Sequence, residues 1–386
     1  EPPSLSCPLS TAYEGTLDMM GICSAAINGI GPTASDNCIM LTTEYTISGA
    51  TSGTGTGDAS GTVFLQGVST ITYTVTDMGG NTKTCSFELE VQCQPDEDDC
   101  REWVRQIGGN SGGAALEIAL DPLGNIYTAG YFSGTMDFDP GAGVFNLSSS
   151  ATNVADVFVT KLDAAGNFIW AVKMGGPGVD QAYAMTVDAS GNVYTTGSFT
   201  GTADFDPGAG VFNLIAAGYD VFVSKLDASG NFVWAKSMSG SAAEIAYAIA
   251  VDVSGNVYTG GIFNGAPDFD PGAGVATLTA VGGNDAFVVK LDASGNFVWA
   301  NQFGGAGPEG VVFSLALDGL GNLYSFGEFS GVMDFDPGAA VFNIQSKGSV
   351  DIFLVKLDLS GNLVWAKQLG GIQWDRGSHV TVDALG

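Results

Sequence analysis

The chain has 386 residues, 45% of them hydrophobic, with 41 acidic against 12 basic side chains and a net charge of −29. That apolar content is ample for packed cores, so the acidity does not signal disorder, while so negative a surface repels nucleic-acid phosphates and anionic lipid. No apolar run reaches the roughly 18 residues of a membrane-spanning helix, so no membrane insertion is expected. Every cysteine lies at or before Cys100 (Cys7, Cys23, Cys38, Cys85, Cys93 and Cys100), with no C-x-x-C spacing and a single histidine in the chain. An even set of this kind points to disulfides rather than zinc, and so to an extracellular or cell-surface location. Glu1 reads as a mature or trimmed start.

Residues 1–92 alternate polar and apolar in short runs broken by Gly, Ser, Thr and Asn. Ser69–Thr76 and Cys85–Val91 form the clearest pair, joined by Asp77-Met78-Gly79-Gly80-Asn81, where Gly supplies positive φ and Asp bonds nearby backbone. This predicts a hairpin within an antiparallel β-sandwich. Three runs carry a family resemblance: Cys7-Pro8, P-T-A-S-D-N-C at 32–38, and G-V-S-T-I-T-Y-T-V-T-D-M-G-G-N-T-K-T-C-S-F at 67–87. They resemble the hyalin repeat, an immunoglobulin-like module. The resemblance implies an adhesive or spacer role without catalytic residues. Under it Cys7 pairs with Cys85 and Cys23 with Cys38, leaving Cys93 with Cys100; four cysteines alone allow three connectivities. Residues 93–100, bounded by those last two cysteines and rich in acids, read as a linker.

From 101 to 386 the chain repeats. DFDPG begins at Asp137, Asp204, Asp268 and Asp334, and Trp103, Trp170, Trp234, Trp299 and Trp365 recur at gaps of 67, 64, 65 and 66 residues. Such a repeat is one supersecondary unit that must stack on its neighbours to bury its apolar face. Within each unit two D-x-x-G-N turns, at Asp121, Asp163, Asp188, Asp227, Asp252, Asp292, Asp318 and Asp358, join strands into two hairpins. The Asp caps backbone N–H groups and the Gly takes the left-handed position. Four antiparallel strands in series are the blades of a β-propeller, with the tryptophans packed between blades. D-A-S-G-N-V-Y-T-T-G-S-F at 188–199 and D-V-F-V-S-K-L-D-A-S-G-N-F-V-W-A-K at 220–236 resemble the bacterial SBBP propeller repeats. That resemblance implies the fold and secretion, and no settled activity. The expected fold class is all-β, a sandwich plus four complete blades. A lone final strand at 101–109 and a lone first strand at 377–386 leave the ring incomplete, so the chain reads as a fragment of a longer protein.

DFDPG places two carboxylates at i and i+2: Asp137 and Asp139, Asp204 and Asp206, Asp268 and Asp270, Asp334 and Asp336. Asp156, Asp220, Asp285 and Asp351 precede the third strands. Oxygen-only donors of this kind suit Ca²⁺; the same aspartates can instead satisfy backbone N–H groups in a long turn. A recurring Lys (Lys161, Lys225, Lys290, Lys356) fits a solvated strand face. No G-x-S-x-G elbow, phosphate loop or H-E-x-x-H is present, and His379 has no partner pattern, so it reads as a surface or strand-packing residue. Acid pairs copied in every repeat argue for structure or multivalent binding rather than a unique active site. The expectation is a non-enzymatic secreted or surface protein for adhesion, matrix or surface assembly, with an extracellular protein or glycan ligand or self-association, and calcium as the candidate cofactor. Two alternatives are a carbohydrate-active or other hydrolase whose catalytic part lies outside this stretch, and a filament or coat subunit joined through blade edges.

Overall fold

A computed structural model describes all residues except 1, 18–22, 38–40, 93–102, 110–111, 306, 308–309 and 384–386. The pairings predicted for Cys38, Cys93 and Cys100 lie outside the described residues, as does the 93–100 linker. Every regular element described is a strand, and the chain divides into two compact units, Glu1–Glu102 and Trp103–Gly386.

In the first unit a five-stranded sheet runs in the order Thr11–Glu14, Thr82–Gln92, Gly67–Asp77, Leu41–Gly49, Gly53–Thr56, beside a three-stranded sheet of Thr16–Leu17, Cys23–Ala26 and Val63–Leu65. Alternation along Gly67–Asp77 turns Ser69, Ile71, Tyr73, Val75 and Asp77 inward, as a half-buried strand must. The predicted turn is present: Asp77 Oδ1 accepts the Asn81 amide at 2.8 Å, and Gly80 has φ of 80°. Tyr73, fully buried, donates its hydroxyl to Ile30 O at 3.0 Å and accepts the Ala59 amide at 3.0 Å, so its polar tip is satisfied inside the core. Cys7 is bonded to Cys85, and Cys23 is also disulfide-bonded.

The second unit contains four sheets of four antiparallel strands, each a plain meander in chain order. Blade 1 comprises Gly113–Leu120, Ile126–Phe132, Asp156–Leu162 and Phe168–Met174. Blade 2 comprises Gln181–Val187, Val193–Asp204, Asn213–Leu226 and Phe232–Met238. Blade 3 comprises Glu244–Val251, Val257–Phe263, Asp285–Leu291 and Phe297–Phe303. Blade 4 comprises Gly310–Leu317, Leu323–Phe329, Asp351–Leu357 and Leu363–Leu369. The segments expected to supply lone strands run differently. Residues 103–107 and 375–383 form no assigned strand, although Gly108 bridges Asp137 and the Val380 amide donates to Ser314 Oγ at 3.1 Å.

All eight D-x-x-G-N turns share one geometry. At Asp227, Oδ1 accepts the Ser229 and Asn231 amides at 2.8 and 2.9 Å, and Oδ2 accepts the Asn231 side chain at 2.9 Å. Gly230 sits at φ 80°, the left-handed conformation that Gly adopts without penalty. Donors converging on one carboxylate favour its charged form. Asp163 accordingly titrates below the usual range, chiefly through the Asn167 amide and then its side chain.

The hydrophobic core lies largely between blades rather than within them. One cluster joins Tyr127, Val157 and Val159 of blade 1 to Met185, Phe199 and Phe222 of blade 2; the next two join blades 2 and 3, and blades 3 and 4. Trp170, Trp234 and Trp299 sit at those seams, whereas Trp365 meets Tyr324 of its own blade. Trp170 of blade 1 donates its indole N–H to Ala228 O, in the second turn of blade 2, at 3.2 Å, and Trp234 does the same to Ala293 O at 3.2 Å. Trp103 reaches Ala164 O at 3.3 Å. A Cβ at Gly230 would stand 3.1 Å from the Trp170 ring, so this Gly is required by the indole as well as by its φ.

The recurring lysine corrects the expectation of a solvated face. Lys161 and Lys290 are buried, each 8% exposed. In every blade the ammonium lies over a tyrosine ring on the paired strand: Lys161 over Tyr127 at 4.8 Å, Lys225 over Tyr194 at 4.8 Å, Lys290 over Tyr258 at 4.9 Å and Lys356 over Tyr324 at 4.8 Å. Lys161 also reaches Asp121 at 3.8 Å, and Lys356 reaches Asp318 at 3.2 Å. A cation with a ring face, a carboxylate and a carbonyl around it tolerates burial that an unpaired one does not.

Candidate functional site

The DFDPG loops close on themselves. Asp204 Oδ1 accepts the amides of Asp206 at 3.0 Å and Phe212 at 2.8 Å, and Asp206 Oδ1 accepts the Gly208 amide at 2.8 Å. Asp137 and Asp139, Asp268 and Asp270, and Asp334 and Asp336 repeat these bonds. The other oxygen of Asp206 lies so close to Gly210 that a Cβ there would come within 2.2 Å. In the fourth loop Ala340 takes that position, and Asp336 still accepts the Gly338 amide at 2.8 Å. Among the described residues no three His, Cys, Asp or Glu side chains are grouped to hold a metal ion.

What each loop positions is the residue between its acids. Phe138, Phe205, Phe269 and Phe335 are completely buried. Phe205 meets Phe199 edge-on at 5.5 Å between centroids and Phe222 at 4.8 Å, geometries that aromatic rings prefer. Asp156, Asp285 and Asp351, by contrast, are buried at the heads of the third strands, and Asp220 is buried in the middle of its own, Asn213–Leu226. Asp156 Oδ2 accepts the Ser150 amide at 2.8 Å and meets the Lys173 ammonium at 3.0 Å.

A different group of residues, which carries no short motif, surrounds a cavity of about 660 Å³ lined by the first strands of the blades. Each first strand carries a β-bulge at the same place, between Ala115 and Glu117, Ala182 and Ala184, Ala246 and Ala248, and Val312 and Ser314. The extra residue at each bulge, namely Leu116, Tyr183, Tyr247 and Phe313, lines the cavity. Bulges re-aim side chains in this way. The rings of Tyr183 and Tyr247 stand 5.2 Å apart, and those of Tyr247 and Phe313 5.7 Å, forming an aromatic shelf. Glu117, Glu328, Arg376 and His379 supply the polar lining. Burial holds the Glu117 carboxyl above its ordinary value, opposed by the Ile118 amide and the charge of His379. His379 thus joins the cavity wall.

Domains 4–9 of surface layer protein SbsC align over 99% of this chain and 83% of that one, at 10% identity and a TM-score of 0.11, too low to bear on the fold. The chain is 24% identical over 320 residues to an uncharacterized WD repeat-containing protein of Acanthamoeba polyphaga mimivirus, covering 69% of this chain and 23% of that protein. It is 26% identical over 216 residues to the regulatory protein FlaEY of Caulobacter vibrioides, covering 49% of this chain and 22% of that protein. The chain spans less than a quarter of the length of these curated relatives. Residues 1–91 match the HYR domain family, and residues 102–131 match the beta-propeller repeat, SBBP. The two matches fall in the order that the sequence resemblance implied, an HYR domain at 1–91 and a beta-propeller repeat at 102–131, and four four-stranded antiparallel sheets follow from Gly113 to Leu369.

Proposed function

We propose that this is a non-enzymatic extracellular or cell-surface protein that binds a glycan or an exposed protein side chain at the cavity lined by its first strands. One observation carries the reading. Nearly every chemically distinctive residue is copied in each blade and engaged in bonds within or between blades, whereas the bulge position varies as Leu116, Tyr183, Tyr247 and Phe313 and faces open space. In a repeat protein, structural duties recur and a single ligand site does not. A shelf of rings beside carboxylates suits the apolar faces and hydroxyls of a sugar, by stacking and hydrogen bonding. The Cys7–Cys85 disulfide and the HYR match support the location. The copied DFDPG aspartates serve as turn caps in this reading, with calcium unnecessary to the loops.

The test is binding of the chain to an array of immobilised glycans. Tyr247→Ala and Glu117→Gln should each weaken the strongest signal about tenfold, the loss of roughly 1.4 kcal/mol, with far-UV circular dichroism unchanged. Binding indifferent to both substitutions contradicts the site. Absence of any signal removes the glycan class, and protection of the chain from protease added to intact cells removes the surface location.

A further inference from the structure

The junction between blades 2 and 3 buries two acids without a counter-charge. Each third strand carries a buried Asp, which is its first residue in blades 1, 3 and 4 and lies mid-strand in blade 2: Asp156, Asp220, Asp285 and Asp351. The chain entering the next blade brings a second buried acid, Asp180 at the first junction and Glu244 at the second, both with no exposed surface. In the first junction a Cβ at Gly175 would stand 2.8 Å from both the Asp156 carboxyl carbon and Asp180 Oδ2, so the two carboxyls flank one backbone position.

The fourth strand answers these acids from one recurring position, occupied by Lys173, Ser237, Gln302 and Gln368. Lys173 reaches Asp156 Oδ2 at 3.0 Å. Gln302 donates to Asp285 Oδ2 at 2.6 Å, and Gln368 donates to Asp351 Oδ2. Ser237 has neither the charge nor the reach of the others. At its junction Asp220 Oδ2 accepts the Ala217 amide at 3.3 Å, Asp220 Oδ1 is buried without a hydrogen-bond partner as in Asp156 and Asp351, and both carboxyl oxygens of Glu244 are buried without one. Two such carboxylates cannot both remain charged at acceptable cost. The neighbouring charges are engaged elsewhere. Lys225 lies over Tyr194 at 4.8 Å, the stem of Lys236 packs on Gly295, and Asp268 Oδ1 accepts the Asp270 and Ala276 amides. Tyr258 donates to Asp252, Tyr247 lines the cavity, and Tyr219 is 44% exposed. Tyr219 and Ala243 bridge in parallel, which sets the residues that follow them, Asp220 and Glu244, side by side across the junction.

We propose that Asp220 and Glu244 share one proton across this junction, as a carboxylic acid donating to a carboxylate, and that the bond fastens blade 2 to blade 3 until rising pH removes it. Burial pushes the Glu244 carboxyl up to about 7, with the Asp220 charge adding to it. A folded-state value above the ordinary one means the stabilisation is complete below the normal carboxylate range and is lost as pH rises through about 7. Titrations so coupled belong to the pair rather than to either acid.

Thermal unfolding of the full chain at pH 5.5 and at pH 8.5 tests this, with Glu244→Gln and Ser237→Lys beside the unmodified protein. Glu244→Gln mimics the protonated acid, and Ser237→Lys supplies the cation that Lys173 provides at the first junction. The unmodified repeat domain should melt roughly 5 °C lower at the higher pH, and both variants should lose part of that difference, the remainder coming from Asp180, whose carboxyl burial also pushes up to about 7. An equal pH dependence in all three proteins overturns the proposal. So does a calcium-induced rise in melting temperature at pH 8.5 that Glu244→Gln abolishes, because the occupant would then be a metal ion.

Discussion

Phe205→Ala is expected to cost the repeat domain about 4 kcal/mol, the range for emptying a buried aromatic site, whereas Asp206→Asn beside it costs less than about 1 kcal/mol. Phe205 has no exposed surface and is wedged between Phe199 and Phe222. Truncation leaves a cavity among rings that a rigid sheet cannot collapse to fill. The Asp206→Asn side chain would keep an oxygen for the Gly208 amide, which is the bond that Asp206 now accepts. Urea unfolding followed by tryptophan fluorescence ranks the two variants. Equal losses, or a larger loss for Asp206→Asn, would show that the acids and not the ring are what the motif exists to place.

Removing the Cys7–Cys85 bond by Cys7→Ala with Cys85→Ala is expected to cost the HYR domain roughly 4 kcal/mol. The two cysteines stand 78 residues apart in sequence, so the bond closes a loop spanning most of the domain. Released, the unfolded chain regains that conformational freedom, while the folded core around Ile71, Tyr73 and Leu89 gains nothing in return. A domain of this size has little stability to spare. The paired substitution is preferable to reductant, because Cys23 is disulfide-bonded as well. Amide exchange at Ile71, Tyr73 and Leu89 reads the loss directly; unchanged protection there would mean that the sandwich holds by packing alone.

The blades were legible because their turns are local. D-x-x-G-N states its hydrogen bonds within five residues, and all eight turns form as such a motif must. The seams were legible through tryptophan spacing. The role of DFDPG was harder to read, because its two charges draw attention away from the ring between them. Strand alternation contained the signal: acids at i and i+2 on one side place Phe205 on the other, toward the core. The buried lysines escaped because their partners lie on another strand. Lys161 stands directly opposite Tyr127 in the ladder, and that register is a property of pairing rather than of any short motif. The cavity was hidden for a further reason. A bulge inserts a residue that breaks the period of two, so Tyr183, Tyr247 and Phe313 look like ordinary strand positions until the sheet is built.

The account holds that repeated aspartates shape the blades and that only the unrepeated residues are free to bind. Calorimetric titration of the unmodified chain with Ca²⁺ addresses this most directly, alongside a fourfold variant in which Asp139, Asp206, Asp270 and Asp336 are each replaced by asparagine. No saturable heat from either protein is the predicted result. Saturable binding by the unmodified chain that the fourfold variant lacks would contradict it, and would make the DFDPG loops ion sites.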